Sequence, residues 1–539
     1  MRPRRVSTVV AWLLIAFVSF FAGRSLAWGV SPAATRPAPI LAGVKLERAT
    51  IPDLQRAMRS GRLSSGALTR FYIRRIGRVD KRLRSVIAVN PGAIRQARRS
   101  DVRRSRRRLR GPLDGIPVLL KDNIDTADRQ RTTAGSLALR RARPARDATV
   151  VRRLRRSGAV ILGKANLSEW ANFRSTRPID GWSAIRGQTH NPYVLDRNPC
   201  GSSSGPAVAV AANLATVAIG TETWGSIMCP AGANGVVGVK PSVGLVSRSG
   251  IVPISAQQDT AGPFARHVVD AAIVLSVIQG TDPPDEATAE AAPYVARNYR
   301  TGLHATALKG RRIGLWRNGT GRAVQRVLNK TAAVMRRAGA TVVDTPLDDG
   351  QLPDPTFRAL LVEFKHGING YLAQTPGRHP PNLAELIEFN RRHADVEMPL
   401  FRQEIFRMAQ ATSGDLTDSG YLVDRRFATD TARRLIDDAL AAGHLDAIVG
   451  PTNGPAWVTR GDTKTCTGDA DASTPAAIAG YPNVSVPAGF ACGALPLGVS
   501  FFAGRWSEPT ILAIAHAFEQ ATHARRPPGF LPAIRRRQR

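Results

Sequence analysis

The sequence predicts an α/β protein: a single compact domain on a large mixed, mostly parallel central sheet flanked by helices. Short apolar runs alternate with amphipathic stretches, as in Ile116–Leu120, Ala148–Arg156 and Ala159–Gly163. That βαβ order calls for parallel neighbours joined by right-handed crossovers. The 539 residues and the 43% hydrophobic fraction suffice for one large core. No internal repeat and no defensible second boundary interrupts residues 46–530.

The N-terminus reads as a targeting segment. Arg2, Arg4 and Arg5 precede the uncharged apolar run Val9–Gly23, and Ser25-Leu26-Ala27 places small residues where a signal peptidase reads. Residues 1–27 are therefore expected to export the chain to the periplasm or beyond, with an uncleaved membrane anchor as the alternative. Arg4-Arg5 fits a twin-arginine signal poorly. Residues 28–45, rich in Pro and Ala, read as a linker.

Thr50 to Asp53 looks like a capped helix start for Leu54–Ser60, and Ser65–Val79 carries Leu68, Phe71, Tyr72 and Ile76 at helical spacing. A basic helix follows at Ile94–Arg108, then the strand ending in Lys121. Asp147 is placed to cap Ala148–Arg156, and Asn166-Leu-Ser-Glu169 has the form of a capping box. Pro206 suits the first turn of a helix over Ala207–Asn213, with Ser204 or Gly205 as its N-cap. Ala215–Ile219, Gly235–Lys240 and Gly244–Ser247 read as strand material. Arg312–Trp316, the helix Ala323–Ala338 and Thr341–Asp344 form another βαβ-like unit. Helices are expected at Thr356–Ala373, Asn382–His393 and Asp424–Ala442, where they could wall a cleft. Leu445–Val449, Ala476–Val486 and Leu497–Ala503 complete the sheet before a last helix, Glu508–Ala521.

A net charge of +35 invites a nucleic-acid or anionic-surface reading. The excess is scattered arginine, with clusters at Arg103–Arg110, Arg152–Arg156 and Arg535–Arg539, and no aromatic-interleaved binding motif accompanies it. No specific nucleic acid is expected as a partner. The four cysteines have no zinc spacing. In an oxidising compartment Cys466 and Cys492 are the expected pair, since both lie in a loop-rich region.

Residues 200–226 carry the chemistry. Cys-Gly-Ser-Ser-Ser-Gly-Pro and Gly-Thr-Glu-Thr-Trp-Gly-Ser are two serine turns flanking an Ala/Val run. Gly201-Ser-Ser-Ser-Gly205 matches a G-x-S-x-G elbow centred on Ser203, but the preceding residues are polar and broken by prolines, so that reading fails its context. Composition alone would make the segment a flexible loop. Lys121, at the end of a strand, changes the balance, because a buried lysine can be a base near neutral pH. Lys164 ends another strand and is its rival.

With Asn166-Leu-Ser-Glu-Trp-Ala-Asn-Phe-Arg174, Gly187-Gln-Thr-His-Asn-Pro-Tyr193 and Pro199-Cys-Gly-Ser-Ser-Ser-Gly205, the chain resembles the amidase signature family from about residue 50 onward, most closely its bacterial peptide amidases. The resemblance implies the amidase-signature fold and hydrolysis of carboxylic amides, including peptide C-terminal amides, to acid and ammonia. It assigns Ser226 as nucleophile, Ser202 as relay after a cis Gly201–Ser202 peptide, and Lys121 as base. The backbone N–H groups of Thr223, Trp224, Gly225 and Ser226 would form the oxyanion hole. Asp259-Thr-Ala-Gly-Pro263 resembles the family's closing turn, a supporting element. The resemblance also makes Cys200 and Cys229 buried packing residues.

The sequence departs from the family at Trp224, usually glycine or a small polar residue, at Met228, often arginine, and at Pro206, commonly serine. Trp224 is the candidate substrate-binding residue, expected to face the cleft. No cofactor or metal is called for, and the partner is a small-molecule or peptide amide met by a monomer. Two alternatives stay open: an amidase for small aryl or alkyl amides, and a catalytically impaired envelope or polyanion binder.

Overall fold

The computed structural model describes residues 39–534 except 297, 320 and 462–465. The expected export segment 1–27 and the basic cluster Arg535–Arg539 lie outside the described residues. Of the expected linker, Ile40–Leu41 and Val44–Lys45 pair as a short antiparallel ladder packed on the core.

The centre is an 11-stranded sheet. Its strands are β1 (Val86–Val89), β2 (Pro117–Lys121), β3 (Val160–Ala165), β4 (Val217–Glu222), β5 (Val237–Lys240), β6 (Thr260–Ala265), β7 (Arg312–Leu315), β8 (Thr341–Asp344), β9 (Ala447–Pro451), β10 (Asn483–Ala491) and β11 (Leu495–Phe502). Their spatial order is β8-β7-β9-β11-β10-β5-β6-β4-β2-β3-β1.

Parallel pairing holds where βαβ units were legible, at β4-β2-β3 and β8-β7-β9. The expectation of a mostly parallel sheet is corrected in between and at the β1 edge: β9-β11-β10-β5-β6-β4 and β3-β1 are antiparallel. The reason is local. β10 and β11 are joined by a tight turn with Cys492 and Gly493 at positive φ, so they form a hairpin instead of crossing over. The residues read as a closing turn at Asp259–Pro263 mostly belong to β6, which returns antiparallel along β4.

Helices pack on both faces, and one apolar core runs through the domain. Thr50 makes a true capping box with Asp53 for Ile51–Arg59. Two other expected caps do not form. Asp147 accepts from Ala127 N–H and Arg155 Nε, each at 2.9 Å, and the helix is left with Ala148 as its N-cap and no side-chain cap. Glu169 pairs with Arg174 at 2.9 Å, while Asn166 reaches back to Arg84, Gly187 and Thr189. The helix near Pro206 runs Ser204–Ala211 with no side-chain cap, since Ser204 Oγ donates to Cys200 O at 2.6 Å. Gly244–Ser247 lies outside the named strands. Among the described residues no helix is long and apolar enough to cross a membrane.

Candidate active site

Strand pleating sends the two lysines to opposite faces of the sheet. Lys164 of β3 lies beside Leu120 of β2, so it shares that residue's face, and the next residue, Lys121, projects to the other. Lys164 Nζ donates to Ile124 O (2.6 Å) and Thr132 Oγ1 (3.0 Å) and lies 3.6 Å from Asp122. It is a buried structural cation. Lys121, also fully buried, ends β2 parallel to β4 and points to the two serine turns.

The Lys121 ammonium nitrogen lies 2.8 Å from Ser202 Oγ, 2.9 Å from Thr221 Oγ1 and 3.1 Å from Thr221 O. Burial pulls its pKa down to about 7, against the opposing pull of Asp259 and Glu222. A neutral amine has two N–H groups and one lone pair. The two acceptors of Thr221 take the N–H groups, which leaves the lone pair for the Ser202 hydroxyl. Asn123 Nδ2 also donates to Thr221 Oγ1, at 3.0 Å, and holds that hydroxyl in place. Thr221 and Asn123 were not singled out from the sequence, although both sit beside the motifs that were.

Ser202 Oγ lies 2.9 Å from Ser226 Oγ, so lysine and both serines form one unbroken chain, and with its single proton turned toward Lys121 the Ser202 oxygen accepts from Ser226. The Gly201–Ser202 peptide is cis. Ser203, centre of the rejected elbow, is fully buried, and its hydroxyl donates to Thr221 O at 2.9 Å. This close approach of the helix to β4 requires Gly220, where an added Cβ would come within 2.7 Å of Ser203 Oγ. His190 is elsewhere, with Nδ1 3.0 Å from Leu195 O.

Among the described residues no acceptor pairs with the backbone N–H of Thr223, Trp224 or Ser226 in this structure. Gly225, expected beside them, is drawn elsewhere. Its N–H faces the buried Glu222 carboxylate, which also accepts from Ile227 (2.6 Å) and Met228 (3.0 Å) N–H. Gly225 has φ +73°, and a Cβ there would meet Ser473 Oγ at 2.9 Å.

The turn is braced from distant parts of the chain. Gln258 Nε2 donates to Thr223 O at 3.2 Å, and Arg425 donates to Gln258 Oε1 at 2.6 Å. Arg425 also forks onto Glu363 at 2.7 and 2.9 Å, which binds Tyr421 as well. Thr223 Oγ1 donates to Asp259, whose carboxyl burial raises to about 6. Sequence reading gave Asp259 a supporting part but missed Gln258, Glu363 and Arg425, which have no shared motif and meet only by folding.

The expectation that Trp224 faces the cleft without a partner is corrected. Its indole is partly buried between two apolar clusters, and Nε1 donates to Thr474 Oγ1 at 2.9 Å. The cysteine expectation is half corrected. Cys466 and Cys492 are bonded, but Cys200 and Cys229 also form a disulfide, with Cα atoms 5.9 Å apart. The two serine turns bring them together, which spacing alone did not reveal. Among the described residues no group of three or more His, Cys, Asp or Glu side chains is arranged to hold a metal ion.

This mixed sheet, with a desolvated lysine behind two linked serines, defines the amidase class of enzyme. A family model described as Amidase matches residues 67–512, and the chain belongs to that family. It is 42% identical over 496 residues to a probable amidase of Arabidopsis thaliana, covering 90% of this chain and 92% of the relative. Native peptide amidase from Stenotrophomonas maltophilia superposes with a TM-score of 0.83 at 50% identity, covering 89% of this chain and 98% of that one. Peptide amidase PAM bound to the competitive inhibitor chymostatin gives a TM-score of 0.85 at 50% identity, covering 89% and 99%. The expected family and fold are thereby shown, and the protein is an amidase.

Proposed function

We propose that this amidase hydrolyses C-terminal amides of peptides through an acyl-Ser226 intermediate, with Ser202 as relay and Lys121 as base. The observation that carries the reading is the chain Lys121–Ser202–Ser226, with contacts of 2.8 and 2.9 Å. Likeness to peptide amidases supports the substrate class.

Neutral Lys121 accepts the Ser202 proton while Ser202 accepts that of Ser226, and Ser226 Oγ bonds to the amide carbonyl carbon. The developing oxyanion meets the N–H groups of Thr223, Trp224 and Ser226, each good donor contributing about 3 kcal/mol. As the tetrahedral species collapses, the C–N bond breaks and the relay returns the proton to the departing nitrogen, giving ammonia. Water then adds to the acyl ester by the same path and releases the acid.

The relay is complete within one chain, which supports action as a monomer. Export fits the basic-then-apolar N-terminus and the two disulfides. The test is a serine-reactive fluorophosphonate combined with ammonia release from an amidated dipeptide and from a simple aliphatic amide. Labelling at Ser226 and preference for the dipeptide are expected. Unlabelled, inactive protein would favour the polyanion binder, and preference for the aliphatic amide would overturn the substrate class.

A further inference from the structure

We infer that the Cys200–Cys229 disulfide is a positioning element of the proton relay. The inference rests on the Ser226–Ser202–Lys121 reading. The bond joins the residue two before Ser202 to the residue three after Ser226, so the covalent loop it closes contains both hydroxyls. Transfer between them needs the 2.9 Å contact, and about 1 Å of misplacement can cost about a hundredfold in rate.

The other ties between the turns are hydrogen bonds at Ser202 and Ser203: Ser203 N–H to Ser226 O at 3.2 Å, Ser203 Oγ with Thr221 O and N–H at 2.9 and 3.3 Å, and the Ser202–Ser226 contact itself. None of them holds Cys200, which is tied on its own side by Asn198 Oδ1 (2.7 Å) and Ser204 Oγ (2.6 Å). Cys200 has φ +59°, in the left-handed region that disfavours a side chain. Without the sulfur bridge, relaxation of that residue toward negative φ would swing the peptide leading to Ser202.

The second disulfide makes a control. Cys466–Cys492 closes a loop of similar separation, 26 residues against 29, so loop closure alone gives both bonds similar stabilising effects. It contains neither serine. Cys229 is partly exposed and lines a cavity of about 500 Å³ with Cys466, Asn318 and Trp457, a path by which a reductant can reach the first bond.

The experiment compares Cys200→Ser/Cys229→Ser with Cys466→Ser/Cys492→Ser, both assayed on an amidated dipeptide well below their melting midpoints. The first pair should lose at least about tenfold in kcat with KM within about twofold, as expected when only the reacting geometry is disturbed. The second should keep kcat within about twofold. Should the first pair fail to fold, the wild-type enzyme is titrated with a phosphine, which with one water splits S–S into two thiols and becomes the phosphine oxide, water supplying its oxygen and the two thiol protons. Alkylation of free thiols in one set of aliquots, mapped by mass, should then track the loss of kcat, and reoxidation of the unalkylated remainder should restore it. An unchanged kcat with Cys200 and Cys229 reduced or replaced overturns the inference. Full turnover in Ser226→Ala would instead overturn the reading beneath it.

Discussion

The rate of amide hydrolysis should follow the deprotonation of Lys121. Its pKa of about 7 lies well below the ordinary 10.5, which corresponds to roughly 5 kcal/mol of disfavour for the buried ammonium. The sign follows from its role as base: protonated lysine has no lone pair for Ser202, so activity falls as pH falls through 7. With that pKa, about a tenth of the molecules carry neutral lysine at pH 6, about half at pH 7 and about nine tenths at pH 8. From pH 8 to pH 6, kcat/KM should therefore drop about tenfold. The assay is initial ammonia release from an amidated dipeptide at fixed ionic strength, with far-ultraviolet circular dichroism at each pH to show that the fold persists. Lys121→Met, of similar length but without a base, should be inactive throughout. A limb still rising near pH 10, or substantial activity in Lys121→Met, would refute the argument. So would a limb that vanishes on replacing His190.

Ser226→Ala should abolish turnover and fluorophosphonate labelling, while Ser202→Ala should lose most turnover yet stay folded; a fully active Ser226→Ala enzyme would remove the nucleophile assignment. Lys164→Ala strands Asp122 in the interior and should cost about 3–5 kcal/mol in stability, read by urea unfolding, with activity per folded molecule kept. If Lys164→Ala instead folds normally and is inactive, the lysines have been exchanged. Trp224→Gly should cost about 2 kcal/mol, less than a fully buried tryptophan, and should shift preference toward bulkier acyl groups; unaltered preference with a large loss of stability would make the indole purely structural.

The candidate site residues were legible because they are local. Ser202, Ser226 and Lys121 each sit in a dense motif, and resemblance of those motifs suggested the roles proposed for them. The helix over Arg322–Arg337 and the strand Thr341–Asp344 were equally legible, since periodicity and β-branching are properties of neighbouring residues. Capping at Glu169 and Asp147 was misread for the opposite reason. Those carboxylates had a helix end on one side and, as rivals, an arginine five or eight residues further on or the Ala127 N–H twenty residues back, and how those segments pack decided between them.

By itself, then, the sequence determined the βαβ units, the two serine turns, the two candidate lysines, and the Cys466–Cys492 pair. Tertiary structure alone decided the antiparallel middle of the sheet, the opposite faces of Lys121 and Lys164, the Cys200–Cys229 bond, the turning of Gly225 toward Glu222, and the brace from Glu363 and Arg425 to Thr223. Local propensity acts over a few neighbouring residues, whereas a strand's pleat, a sulfur's partner and a buried carboxylate's donors depend on which distant segments the sheet order sets side by side.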